Sequence, residues 1–109
     1  MDMDDIINAA PERLLSNGYT EYFSYEGRKF KKGHYIVFLL FGNIYVFKTD
    51  IDEHLITIAT SSSCHSSDMF SIIGVPFGKL LDVMCRCDEN EIMRFLIGYC
   101  VNDTLKVLE

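Results

Sequence analysis

The chain has 109 residues, a formal net charge of −6 at pH 7 and a hydrophobic fraction of 49%. That hydrophobic fraction excludes a disordered chain, and the length fits a single α+β domain over residues 1–109. The longest apolar run, YIVFLLF, is much shorter than the roughly 20 residues that span a bilayer, so we expect no membrane partner.

The first twelve residues, MDMDDIINAAPE, are acidic, whereas signal and transit peptides carry basic groups. We therefore expect a cytoplasmic protein. Its cysteines do not have the spacing of a zinc site or a redox motif, because Cys85 and Cys87 are separated by one residue and no second pair follows. We expect no metal and no cofactor, and we expect the thiols to act as small apolar groups.

The N-terminal segment predicts an α-helix. Apolar residues recur near helical spacing from Ile6 to Leu15, and Asp4 and Asp5 favour the positive end of the helix dipole. Pro11 interrupts this pattern, so we expect either a kink or a fresh helix start there. Asn17-Gly18 is expected to end the helix.

The middle of the chain predicts an antiparallel sheet. Aromatic and polar residues alternate from Tyr19 to Tyr25 and again near Phe30. The runs HYIVFLLF and IYVFKTD flank Gly42-Asn43, which predicts a tight hairpin whose first strand lies centrally in the sheet. With LITIATSS after it, this region predicts a meander of three or four strands.

The last third predicts helices. Ser66 or Ser67 is expected to cap a short helix, and another is expected to begin near Pro76. Asp88 followed by Glu91 has capping-box spacing, which predicts a further, very apolar helix. TLKVLE is expected to form a short strand or tail. The predicted fold is α+β: an N-terminal helix, a meander of three to four strands, and two or three C-terminal helices packed on the sheet.

The segment GRKFKKGH concentrates basic residues in an acidic chain. Outside Arg28–Lys32 the sequence carries sixteen acidic and six basic side chains, a balance that repels phosphate. In a strand, alternation would place Lys29 and Lys31 on one face and Phe30 on the other with Arg28 and Lys32. We therefore interpret the cluster as a solvated loop or strand edge and expect no direct nucleic-acid binding.

No segment has the residues of a catalytic site in a usable pattern. CHSSD contains the residue types of a triad, but neighbours in sequence rarely converge as a triad does. DIDE offers hard oxygen ligands without the remaining ligands and glycine of a calcium loop. We expect the three histidines to be surface or hydrogen-bonded residues and the protein not to be an enzyme.

A net negative charge attracts cationic partners. The acidic residues form three clusters: Asp2, Asp4 and Asp5; Asp50, Asp52 and Glu53; and Asp88, Glu89 and Glu91. The functional prediction is a small inhibitor that neutralises a basic, nuclease-like toxin or defence enzyme, as bacterial immunity proteins, antitoxins or phage inhibitors do. A monomer is favoured, and a homodimer is possible. Exposed tyrosines such as Tyr19, Tyr22 or Tyr25 would add packing anchors. The predicted partner-binding residues are Asp50, Asp52, Glu53, Asp88, Glu89, Glu91, Asp4, Asp5 and Tyr22.

The alternative is a dimeric chaperone or adaptor, similar in size and acidity to secretion chaperones. In that case the apolar helix Ile92–Cys100 would form the self-interface, and the sheet would bind an extended client segment.

Overall fold

A computed structural model describes residues 2–49, 52–63 and 72–108, with side chains described as far as Gly98. It confirms the α+β class: one helix, five strands and two further helices follow one another along the described chain. Their bounds are α1 Met3–Ser16, β1 Thr20–Tyr22, β2 Arg28–Lys32, β3 Tyr35–Leu40, β4 Asn43–Thr49, β5 Leu55–Thr60, α2 Phe77–Arg86 and α3 Glu89–Leu108.

The strands form one antiparallel sheet in the order β1-β2-β3-β4-β5, so the sheet has one strand more than the upper limit predicted from sequence. The first strand, β1, pairs with β2 through Thr20↔Lys31 and Tyr22↔Lys29. All three β1 residues are exposed. The alternation from Tyr19 to Tyr25 predicts a half-buried strand, whereas β1 is only three residues long and has no buried face.

One face of the sheet, the inner face, carries the core. Phe30, Val37, Val46 and Ala59 lie side by side across β2 to β5, and all four are fully buried. Helix residues complete the same hydrophobic cluster. They are Ala10, Leu14, Phe77, Leu80, Leu81, Val83, Met84, Cys85, Ile92 and Leu96. The central position of β3 is confirmed, and the described helices cover its inner face.

Helix α1 continues through Pro11 as a single helix, so Pro11 does not begin a new one. Proline has no amide hydrogen, and the carbonyl of Ile7 therefore lacks the bond that this turn would normally supply. Asp2 caps the helix by accepting a 3.0 Å hydrogen bond from the Asp5 amide. Asn17 and Gly18 end it as predicted, with Gly18 at a φ of +92°.

The β3-β4 hairpin is confirmed, but its turn is Phe41-Gly42 and not Gly42-Asn43, because Leu40 pairs with Asn43. The observed register pairs Val37 with Val46 on the inner face. A turn one residue later would pair Val37 with Lys48. In the observed register Lys48 instead pairs with Tyr35, and its ammonium lies 6.0 Å from the centre of that ring.

The C-terminal helices agree in part with the sequence. Helix α2 begins directly after Pro76, as predicted. Helix α3 contains the predicted apolar segment, but it continues to Leu108, so the strand or tail expected for TLKVLE is wrong. No proline or glycine follows Gly98, and Asn102-Asp103 costs too little helix propensity to end a helix. The predicted cap at Ser66 or Ser67 lies outside the described residues.

Within the described part of the chain, no helix combines the length and the apolar character needed to cross a membrane.

Gly42 tests the hairpin. Its φ is +78°, a conformation that is strongly disfavoured for a β-branched side chain. We expect Gly42→Val to lower the free energy of unfolding by at least about 1–2 kcal/mol, the usual cost of left-handed backbone for an L-residue. Urea denaturation followed by circular dichroism measures this loss.

Gly98→Ala is the matched control, since a Cβ added at Gly98 in α3 meets no atom within 4 Å. It should leave stability unchanged or raise it, because alanine favours a helix over glycine. Equal stability of Gly42→Val and the wild type would contradict the assigned turn.

Candidate functional site

The predicted acidic cluster at the start of α3 is a capping box. Asp88 accepts a hydrogen bond of 2.8 Å from the Glu91 amide, and Glu91 Oε1 accepts one of 3.3 Å from the Asp88 amide. These two carboxylates therefore satisfy otherwise unpaired amides of the first helical turn. Both side chains remain exposed, so they still contribute negative charge to the surface.

Glu89 joins the start of α3 to the β2-β3 turn. Its Oε1 accepts a 3.0 Å hydrogen bond from the His34 amide and lies 3.2 Å from His34 Nδ1. The hydrogen bond from the His34 backbone, with smaller contributions from its ring, lowers the pKa of the Glu89 carboxyl. The expectation that the histidines are surface or hydrogen-bonded residues is confirmed at His34.

The β4-β5 turn brings a second acidic cluster to the same place. Glu53 lines a cleft of about 620 Å³ together with His34 and Lys31, and Asp52 precedes it in the turn. Asp50 lies outside the described residues. We call this region the His34 end: Asp52, Glu53, Asp88, Glu89 and Glu91. Lys31 and Lys32 also border its clefts, so its charge is mixed.

The third acidic cluster lies at the opposite end of the sheet. The last turn of α1 is held near the His34 end, where Lys32 Nζ donates a 2.8 Å hydrogen bond to the Asn17 carbonyl. The first turns of helix α1 lie beside the β3-β4 hairpin connection, where Ile7 Cδ1 is 3.9 Å from the position that a Cβ on Gly42 would occupy. Asp4 and Asp5 are exposed in that first turn. The structure therefore unites two predicted clusters and separates the third.

The basic cluster is strand β2, paired with β1 on one side and β3 on the other, which corrects its interpretation as a solvated loop or strand edge. The predicted division by alternation is confirmed by Phe30, which is fully buried between exposed or half-buried cations. The cations are also engaged locally. Arg28 donates two hydrogen bonds of 2.7 and 2.8 Å to the Glu21 carboxylate, and Lys29 lies 5.2 Å from the ring centre of Phe38.

A group of exposed aromatic side chains lies at the end opposite His34, and only Tyr25 among them was predicted as an exposed anchor. Phe23 is 76% exposed and Tyr25 95%, both in the β1-β2 connection, and Phe41 is 90% exposed in the β3-β4 turn. The two segments are neighbours, because a Cβ on Gly27 would meet the Leu39 carbonyl and the Leu40 side chain. We call Phe23, Tyr25 and Phe41 the aromatic end.

The predicted tyrosine anchors have different positions. Tyr22 is 39% exposed and lines a shallow depression with Thr20, Lys31 and Ile36, on the sheet face opposite the helices. Tyr19 is not available to a partner, because it is buried and its hydroxyl donates a 2.9 Å hydrogen bond to the Met84 carbonyl. In the sequence, Phe23 and Phe41 adjoin strand-like runs and are indistinguishable from strand residues, so their exposure is not predicted.

The described titratable residues show no arrangement typical of catalysis. Among them, no group of three or more histidine, cysteine or carboxylate side chains could hold a metal ion. Cys85 and Cys87 are free thiols, and burial raises the pKa of both, which disfavours the reactive thiolate. The CHSSD segment lies outside the described residues.

No protein-family model, curated protein sequence or solved structure matches this chain. The surfaces described above are therefore the basis for a functional proposal.

The capping box gives a direct test of the α3 start. We expect Asp88→Ala to lower the free energy of unfolding by about 0.5–2 kcal/mol, because the Glu91 amide loses its acceptor. Asp88→Ser should recover most of that loss, since serine also caps. Asn90→Ala, in the same helical turn, is the control. A stable Asp88→Ala variant in chemical denaturation would show that the cap contributes nothing.

A substitution at Phe41 tests whether this side chain contributes to stability. Its φ of +49° is unfavourable for a bulky residue, whereas asparagine tolerates it well. We expect Phe41→Asn to leave the free energy of unfolding unchanged or to raise it by up to about 1 kcal/mol. Thermal unfolding of both proteins measures the difference. A clear loss of stability would mean that Phe41 serves the fold.

Proposed function

We propose that the chain is a small binding protein that neutralises a basic, nuclease-like partner, in the manner of an immunity protein or antitoxin. The observation that carries this proposal is that every described carboxylate of the three acidic clusters is exposed, even where it also caps a helix. Local capping alone therefore does not remove these charges from the surface available to a partner.

The charge distribution supports a protein partner over a nucleic acid. Arg28 is paired with Glu21, Lys32 is bound to the Asn17 carbonyl, and Lys29 is half-buried against Phe38. The chain is acidic overall, so the long-range field attracts cations and slows the approach of phosphate. We accordingly propose a basic protein partner, without direct nucleic-acid binding and without a cofactor.

The first experiment identifies the partner. The chain is immobilised and exposed to a lysate of the source cell, and retained proteins are eluted with salt and identified. We expect a strongly basic protein whose nuclease activity is lost when one equivalent of the chain is added. The proposal is overturned if the purified retained proteins keep full activity in the presence of excess chain.

Two isosteric double variants then test the role of charge. Asp4→Asn/Asp5→Asn removes two charges at one end of the sheet, and Asp52→Asn/Glu53→Gln removes two at the other. Both reduce the long-range field equally. We expect at least one of them to weaken partner binding about tenfold, which is about 1.4 kcal/mol, with slower association at low salt.

Surface plasmon resonance at two ionic strengths measures these changes, and circular dichroism checks that both variants fold. If neither variant alters affinity or association rate, the acidic groups only solvate the surface, and the inhibitor proposal loses its support.

A dimeric adaptor is the second candidate, favoured by the sheet face that the described helices leave uncovered. Phe38 lies there with ring centres 5.9 Å from Tyr45 and 6.3 Å from Phe47. Ile97 is also exposed on α3. Light scattering separates the candidates, since a concentration-independent monomer favours the inhibitor and an obligate dimer favours the adaptor.

A further inference from the structure

We propose that the aromatic end is the docking surface for the basic partner, and that the partner presents an apolar pocket bordered by lysine or arginine. This inference rests on the proposed function, and it goes further by choosing one of the two acidic ends and by naming the chemistry that this end recognises. The partner's apolar pocket would receive Phe41 and the Phe23–Tyr25 pair.

The exposed area is large enough to anchor an interface. Aromatic side chains bury about 150–250 Å² each, so three of them at this exposure offer roughly 400–600 Å². A standard interface buries about 800 Å² on each partner. Aromatic residues are also enriched among those that contribute most to binding energy. The three side chains therefore supply a central apolar contact, and the surrounding polar residues supply a rim.

The anchors are held in defined positions. Phe23 and Tyr25 pack edge to face with ring centres 4.9 Å apart, and Phe41 is fixed in a two-residue turn between paired strands. A rigid anchor loses little conformational freedom on binding. Phe41 also occupies a left-handed backbone position, although it is almost fully exposed. The two-residue turn requires a positive φ at this position, where asparagine, aspartate or glycine is preferred. An exposed phenylalanine does not serve the turn, and a contact outside the chain accounts for its presence there.

The charged residues around the aromatic end favour a basic partner. A cleft beside Phe41 runs along α1, and Arg28 is the charged residue that lines it. Its guanidinium is already paired with Glu21, so it contributes little net positive charge. Asp4 and Asp5 lie in the turn of α1 next to this cleft, and no basic residue is among the cleft residues besides Arg28. An apolar centre with an acidic margin is complementary to a cationic, partly apolar surface.

The test uses a defined probe and the full chain. An amidated peptide of alternating lysine and leucine is titrated into isotope-labelled protein at low salt, and backbone amide shifts locate the binding site. A peptide of alternating lysine and glycine has the same charge without apolar groups. We expect the leucine peptide to shift amides of residues 23–27 and 41–43 and the glycine peptide to bind about tenfold more weakly.

Substitutions of the three aromatic residues test whether these side chains bind the peptide. Phe23→Ser/Tyr25→Ser/Phe41→Asn should weaken the leucine peptide about tenfold, whereas Ile97→Ser, an exposed apolar residue on α3, should not change its affinity. The identified partner should respond in the same way. In addition, Asp4→Asn/Asp5→Asn should weaken that partner more than Asp52→Asn/Glu53→Gln.

Other outcomes of these experiments would contradict different parts of the proposal. Largest shifts around His34 and Glu53, or an unaffected triple variant, would overturn the aromatic end while leaving a basic partner in place. Failure of the leucine peptide to bind would also overturn the aromatic end, whereas the proposed function is overturned only if the retained basic proteins keep full activity in the presence of the chain. Binding to neutral phosphatidylcholine vesicles, or concentration-dependent shifts of residues 23–27 in the chain alone, would assign the aromatic end to a membrane or to a second copy.

Discussion

Burial of the row formed by Phe30, Val37, Val46 and Ala59 is the constraint on which the rest of the structure depends. It fixes the inner face of the sheet, and because side chains alternate along a strand, it also fixes which neighbours point away. The cations of β2 are separated for this reason. Phe30 must face the helices, so Lys29 and Lys31 must lie on the other face, whatever their local charge favours.

The features that could be predicted from the sequence were those determined by residues close together along the chain. The hairpin, the start of α2 after Pro76 and the Asp88–Glu91 capping box depend on residues close in sequence, and all three are present. The limits of β1 and the position of the turn at Phe41 depend on pairing with other strands. The turn propensity of Asn43 favours a turn one residue later. That register would pair Lys48 with the buried Val37, and this cost outweighs the turn propensity. The predicted end of α3 was wrong because Asn102 and Asp103, although weak helix formers, do not by themselves end a helix.

The candidate surfaces show the same limit. Acidic clusters are visible in sequence, but their grouping is not: the contact between Glu89 and His34 brings together segments 55 residues apart. Their separation from Asp4 and Asp5 follows from the direction of α1 across the sheet. Phe23 and Phe41 at the aromatic end were not predicted because an exposed phenylalanine and a buried one look alike in a sequence, and only the positions of turns distinguish them.

The strictly sequential strand order has a consequence for how the chain folds. Every strand pairs with its neighbour along the chain, so the sheet can form from short loops with little entropic cost, and a meander of this kind favours rapid folding. Helix α1 is different. It precedes the sheet, yet its docking site is completed by α2, and Tyr19, just after α1, bonds to Met84, 65 residues further on. During synthesis on a ribosome, the docking site of α1 therefore remains incomplete until α2 has been made.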